Sequence, residues 1–307
     1  LTAYVVVDRR DTHTEFWFDY EKFEQDIPHI VRAMDNVIDE TTYPLPEQEV
    51  EAKAKRRMGL GITGLANTLT ALGIRYGSDE AVQFLDHLMG IFVNEAYQAS
   101  ALLASEKGSF PEFDKELYLQ SEYTKHLDKE TITFIREFGL RNSHLISIAP
   151  TGTISLTANN VSSGIEPVFS YSYLRKVQTA NGPITEEVQD FAYREWGLKG
   201  ETVNDISVLD HVKMLTTAQY WVDSAVSKTC NVGDHVTWEE FKEVYMTAFD
   251  NGAKGCTTFR AAGKRYGILT ASKDEEVIDS KKNKDEVTVE GGACYIDLET
   301  GIRTCDA

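Results

Sequence analysis

Short apolar runs set between long stretches of helical periodicity constrain this chain more than any other feature. Leu145-Ile146-Ser147-Ile148-Ala149-Pro150 reads as a buried strand, Tyr4-Val5-Val6-Val7 as a strand entered mid-fold, and Cys256-Thr257-Thr258-Phe259-Arg260 as a short β-type run. Asp19 caps a helix in which Phe23, Ile27, Ile30, Val31, Met34, Val37 and Ile38 recur at helical spacing, broken by Pro44 and Pro46. A second helix follows Gly64 to Leu72 and stops at Gly73. Ser78 caps a long third helix to about Lys107, with Val82, Leu85, Met89, Phe92, Val93, Ala96 and Leu103 inward. Helices are also predicted over Thr185–Trp196, Val208–Val226 and Trp238–Phe249, the last opened by a Thr237/Glu240 capping box. Helices alternating with short buried strands predict an α/β body in which parallel strands are joined through helices.

Charge narrows the partners. Thirty-one Lys and Arg against 49 Asp and Glu leave a net charge of −18, which excludes nucleic-acid binding through a broad basic face. No apolar run approaches the roughly 18 residues of a membrane span, so no membrane partner is expected. The start has no basic n-region and does not begin with Met, which predicts a fragment, a processed chain or half of a split protein. Four cysteines are too few for a disulfide scaffold, and a reducing cytoplasm is the default location. Residues 1–270 read as one body, 271–290 as a charged linker rich in Lys, Asp and Glu, and 291–307 as a tail holding two cysteines.

Two glycine-bearing stretches invite a nucleotide. Gly59-x-Gly61-x-x-Gly64 fits the dinucleotide fingerprint, which requires a strand before it and an acidic strand end after it. Glu47 to Arg57 is charged and strand-poor, and Asp79 and Glu80 begin a helix, so the run reads as close packing of a turn and a helix. Ala149-Pro150-Thr151-Gly152-Thr153-Ile154-Ser155 is more informative. There a buried strand delivers backbone amides and hydroxyls that could converge on an anion, although the same residues also make an ordinary turn.

The run Arg141-Asn142-Ser143-His144-Leu145-Ile146-Ser147-Ile148-Ala149-Pro150-Thr151-Gly152-Thr153-Ile154-Ser155, continued by Ser162-Ser163-Gly164-Ile165-Glu166-Pro167, resembles the large catalytic subunit of ribonucleotide reductases. It is most similar to the adenosylcobalamin-dependent class. Met58-Gly59-Leu60-Gly61-Ile62-Thr63-Gly64-Leu65-Ala66, Asp35 to Asp39, Asp223 to Thr229 and Lys254 to Arg260 extend the resemblance in order. It implies the C-terminal half of a ten-stranded α/β barrel and substrate-phosphate binding by Ala149, Pro150, Thr151, Gly152, Thr153, Ile154 and Ser155. It also implies a ribonucleotide substrate and an N-terminal half as partner. The thiyl-radical cysteine, its Asn and Glu neighbours and the substrate-reducing cysteine pair would all precede the start of this chain. No catalytic residue and no metal ligand is therefore expected here. Relatives with a separate radical-generating subunit carry a tandem tyrosine where this chain has Cys256-Thr257-Thr258-Phe259-Arg260, which favours adenosylcobalamin as cofactor.

Three further positions have sharper and blander readings. Glu166 is an acid/base candidate that more simply satisfies local backbone donors. Cys230 and Cys256 read as buried structural thiols. A hairpin folded at Leu298 to Gly301 sets Cys294 opposite Cys305, close enough to bridge. Behind a charged tether that pair resembles the mobile dithiol with which these reductases re-reduce their active site, fed by a thioredoxin-like or glutaredoxin-like reductant. An accidental hairpin or half a zinc site is the alternative. For the chain as a whole, the competing functions are a non-catalytic nucleotide-binding half and a dinucleotide-dependent oxidoreductase.

Overall fold

The computed structural model describes residues 1–10, 13–179, 182–233, 236–260, 269–271, 294–296 and 303–305. The chain divides into two units, Leu1–Thr270 and Ala271–Ala307. Apart from Ala271, the expected charged linker lies outside the described residues.

The first unit opens with an antiparallel hairpin, β1 (Val5–Arg9) and β2 (Thr14–Phe18), in the register Val5↔Phe18 to Arg9↔Thr14. α1 (Tyr20–Glu40) begins where the Asp19 carboxylate accepts the Lys22 N–H, a side-chain cap for an otherwise unsatisfied donor. Its inward stripe is Phe23, Ile27, Val31 and Ile38, while Ile30 and Val37 face solvent. The charged stretch after it is a helix, α2 (Pro46–Lys55), with Pro46 in its first turn. Glu49–Lys53 and Glu51–Lys55 close i,i+4 ion pairs at 2.6 Å along it. α3 (Leu65–Ala71) follows Gly64.

α4 (Asp79–Lys107), capped by Ser78 and ended by Gly108, is the central helix. It packs against α1, α6 (Lys129–Phe138) and α8 (Val208–Trp221). Contact on several sides explains why its buried residues, among them Leu85, Leu88, Met89, Val93, Ala96 and Tyr97, spread beyond a single stripe. α5 (Lys115–Leu119) and α7 (Gly152–Thr157) are short.

The predicted helix over Thr185–Trp196 is not formed. Ser172–Thr179 (β3) and Gly182–Gln189 (β4) pair as an antiparallel hairpin, and only Ala192–Trp196 winds, as a π-type turn. A cross-strand ladder overrides the weak helical preference of a stretch whose turn holds Gly182 at φ +107°. α8 is also shorter than predicted. Val222 turns extended, and the chain runs on toward β5 (Thr229–Asn231). α9 (Trp238–Asp250) carries both halves of its predicted capping box. It leads to β6 (Thr257–Phe259).

The feature that positions the candidate site is a set of parallel backbone pairings. Leu60 bridges Ile146, Ile148 bridges Val226, and β5 pairs with β6, all parallel. The bonds are Met58 N–H to His144 O at 3.0 Å, Ser147 N–H to Leu60 O at 3.0 Å, Ile148 N–H to Ala225 O at 3.0 Å and Val232 N–H to Phe259 O at 2.9 Å. The spatial order is thus 58–60, 144–148, 224–231, 257–259, with helices in every crossover, as parallel pairing requires. Among the described residues no sheet closes on itself. The α/β class is observed, and a closed barrel is not. The order of described strands ends with β7 (Leu269–Ala271), then β8 (Cys294–Ile296) and β9 (Arg303–Cys305) in the second unit.

Candidate substrate-phosphate site

The loop 149–155 lies at the carboxyl end of the 144–148 segment, where ligands bind in open parallel sheets. Asp223 anchors that segment. Its carboxylate accepts Leu145 N–H at 2.7 Å, Ile146 N–H at 3.2 Å and the Tyr97 hydroxyl at 2.7 Å. Beyond Ile148 the chain emerges. Ala149 and Pro150 are exposed, and Thr151 takes a left-handed conformation at φ +51° before α7 starts. Helix geometry leaves the N–H groups of Gly152, Thr153 and Ile154 without intrahelical acceptors, and all three residues are exposed.

Thr151, at the N-cap, gives them no side-chain oxygen. Its own Oγ1 is buried with no hydrogen-bond partner among the described residues. Ser155 is turned inward, its hydroxyl bonded to Gly152 O at 3.1 Å and to Ser163 Oγ at 2.9 Å. Gly164, at φ +53°, backs the loop so closely that a Cβ there would lie 3.0 Å from Ala149 O. Open amides at a helix start, with one spare hydroxyl, suit an anion. The seven predicted residues therefore lie together, but in two layers: Gly152, Thr153 and Ile154 present amides, whereas Ser155 supports them from behind.

The glycine run 59–64 has a different role. A Cβ on Gly61 would stand 2.4 Å from Ser147 O, and one on Gly59 would stand 2.4 Å from Ser147 Oγ, so these glycines let two backbones touch. Gly64 sits at φ +79° as the N-cap of α3, where Ser162 Oγ takes the Ala66 N–H at 3.1 Å. That donor is not free for a pyrophosphate.

Glu166 does more than satisfy local donors. Its carboxylate accepts Thr229 N–H at 2.6 Å and Lys228 Nζ at 2.6 Å, tying 165–168 to a strand 63 residues away. Lys228 is buried and also reaches Thr229 O at 2.6 Å and His211 Nδ1 at 2.8 Å. Burial, then the Lys228 charge, push the His211 pKa down to about 3. The ring is neutral at pH 7, with Nδ1 as acceptor. Reading the sequence missed Lys228 and His211, whose only linear signal was a lysine among small residues after α8. Cys230 is buried as predicted, but Cys256 is half-buried and the two sulfurs are in contact at 3.7 Å. In the second unit β8 pairs with β9 in the antiparallel register Cys294↔Cys305.

The pocket described among these residues does not fit a corrinoid. The pocket lined by Glu187, Val188, Gln189 and Arg194 holds about 300 Å³, the low end even for drug-sized ligands. No group of three or more His, Cys, Asp or Glu among the described residues gathers in metal-holding geometry.

Parallel segments joined by helices, with a loop of open amides at a strand's carboxyl end, define an α/β protein. The chain matches the family "Ribonucleotide reductase, barrel domain" over residues 2–259, and it belongs to that family. It is 31% identical over 281 residues to a vitamin B12-dependent ribonucleoside-diphosphate reductase of Mycobacterium tuberculosis, covering 83% of this chain and 38% of that protein. A protein of the same name from Thermoplasma acidophilum is 30% identical over 98% of this chain and 40% of its own length. The ribonucleoside-diphosphate reductase subunit alpha of Chlamydia muridarum is 32% identical over 76% of this chain and 22% of its own. The chain thus spans about two fifths of the B12-dependent relatives.

Proposed function

We propose that this chain is the C-terminal half of the ten-stranded α/β barrel of a ribonucleotide reductase, which converts ribonucleotides to 2′-deoxyribonucleotides by radical chemistry. Its contribution is the substrate-phosphate loop from Ala149 to Ser155 and a C-terminal dithiol, Cys294 and Cys305. The N-terminal half supplies the thiyl-radical cysteine. The names of its relatives support adenosylcobalamin as the cofactor of the assembled enzyme. The observation that carries the reading is the loop's place at the carboxyl end of a parallel segment, within a chain matching the reductase barrel almost throughout.

The loop's task in that reaction is to hold and orient. Open amides of Gly152, Thr153 and Ile154 and the Thr151 hydroxyl grip the substrate's phosphate, fixing the ribose for chemistry performed by the other half. Complementation tests this. The chain alone, given ribonucleotide, adenosylcobalamin and a small dithiol, forms no deoxyribonucleotide, and adding a polypeptide matching the preceding part of its relatives restores turnover. Turnover by the chain alone sinks the proposal. No turnover after addition of a folded N-terminal half that binds it also sinks it, and leaves a nucleotide-binding half without chemistry.

A further inference from the structure

Cys230 and Cys256 have no part in the reaction proposed above. Cys230 lies buried in β5, and Cys256 precedes β6 by one residue and is half-buried. The register Cys230↔Thr258 places Cys256, two residues before Thr258, on the same face of the pair. Their sulfurs are 3.7 Å apart although 26 residues separate them in sequence. A disulfide needs about 2.0 Å between sulfurs and Cα atoms within about 7 Å, so closing the bond draws the start of β6 toward Cys230.

Cys256 is half-buried whereas Cys230 is buried. Solvent reaches Cys256 first. Contact between the two sulfurs, aided by the Lys228 charge, holds the Cys256 pKa down, and the same contact with burial holds that of Cys230 up. The half-buried Cys256 sulfur is thus the one a dissolved oxidant meets, with Cys230 behind it.

We propose that Cys256 and Cys230 form a redox-modification site that takes a hydroperoxide, with Cys256 attacking and Cys230 resolving. The Cys256 thiolate attacks one oxygen of hydrogen peroxide, and the S–O bond forms as the O–O bond breaks. The hydroxide that leaves takes one proton to become water, and Cys256 is then a sulfenic acid. The Cys230 sulfur then attacks the Cys256 sulfur, its proton leaves with the hydroxyl as a second water, and a disulfide joins β5 to β6. Two thiols lose two electrons, and hydrogen peroxide becomes two waters.

The test reads thiol chemistry and is independent of reductase activity. In the full chain carrying Cys294→Ser and Cys305→Ser, only these two of the four cysteines remain. Treatment with near-stoichiometric hydrogen peroxide should take free thiols from two to none. Tryptic peptides Thr229–Lys242 and Gly255–Arg260 should then appear cross-linked, two hydrogens lighter than their sum. Adding Cys230→Ala should leave Cys256 as a sulfenic acid trapped by dimedone, whereas Cys256→Ala should slow Cys230 oxidation about tenfold or more. A trivalent aryl arsenical, which bridges two adjacent thiols, should bind one-to-one to the folded unoxidised protein, a readout free of cavity-forming substitutions. Separate peptides with both thiols intact, Cys256 oxidised to sulfinate without a cross-link, or cross-linking only in denaturant would overturn the assignment.

Discussion

Lys228 is buried with its ammonium against one carboxylate, one carbonyl and one neutral imidazole, and the two sides of that ion pair are unequal. Glu166 keeps 22% of its side chain exposed while Lys228 keeps none. Glu166→Ala strands a buried cation and should cost about 3–5 kcal/mol in urea unfolding. Lys228→Met leaves a carboxylate that water and Thr229 N–H still solvate, and should cost less; the reverse order would refute this account. His211 adds a pH dependence. Its folded pKa, about 3, lies below its unfolded value near 6.5, so protons bind the unfolded chain preferentially. The stabilisation is complete above about pH 6.5 and is lost as pH falls toward 3, by at most about 1.4 kcal/mol per unit. Between pH 7 and 5, His211→Gln should lose less stability than the wild type in parallel urea titrations. His144, also lowered by burial, contributes with the same sign to both proteins.

At the level of elements, the close crossing of 58–61 over 144–148 explains the glycine run. A Cβ at Gly61 meets backbone, the carbonyl of Ser147, whereas one at Gly59 meets the Ser147 hydroxyl, which can rotate away. Gly61→Ala should therefore cost about 1–3 kcal/mol of stability and Gly59→Ala less. Equal effects would mean that the strand shifts as a body. For the loop, Thr151→Val should weaken nucleotide binding in the reconstituted enzyme by roughly 1.5–3 kcal/mol, about tenfold to a hundredfold in Kd, with the fold unchanged by circular dichroism. A Kd unaltered in Thr151→Val, Thr153→Val and Gly152→Val alike would reduce the loop to a turn. The tail stands on its own backbone pairing of Cys294 with Cys305. If it shuttles electrons, Cys294→Ser or Cys305→Ser should stop the reconstituted enzyme after about one turnover with thioredoxin, while a small dithiol restores turnover. Repeated turnover with thioredoxin in both variants would end that role.

On the scale of the whole molecule, the chain is an acidic α/β body whose central helix α4 gathers α1, α6 and α8 around it. Its strands are short and several are single bridges, so the parallel set rests on anchors outside the ladder, such as Asp223 beneath 145–146 and Glu166 beneath Thr229. If the chain is half of a barrel, as proposed, the edges of that set left open among the described residues are where the other half completes the sheet. Binding of that part should then raise the Tm of this chain, and a complex with unchanged Tm would place the partner elsewhere.

The linear chain by itself determined what depends on neighbours a few residues apart. The Asp19 and Ser78 caps, the Thr237/Glu240 box and the stop at Gly108 are local hydrogen bonds and dihedral preferences, and they stand where the pattern puts them. The ordered motifs also sufficed for the family, because they record residues that a shared fold requires. Tertiary structure decided the rest. Gly182–Gln189 is a strand because Ser172–Thr179 lies beside it, and helical preference was too weak to resist the ladder. Lys228, His211 and Glu166 are one cluster only because α8, the loop holding Glu166 and the start of β5 meet. Cys230 and Cys256 touch only because β5 and β6 run parallel across the α9 crossover. Such contacts join residues 17 to 63 apart, and no periodicity records which of many distant partners burial will bring together.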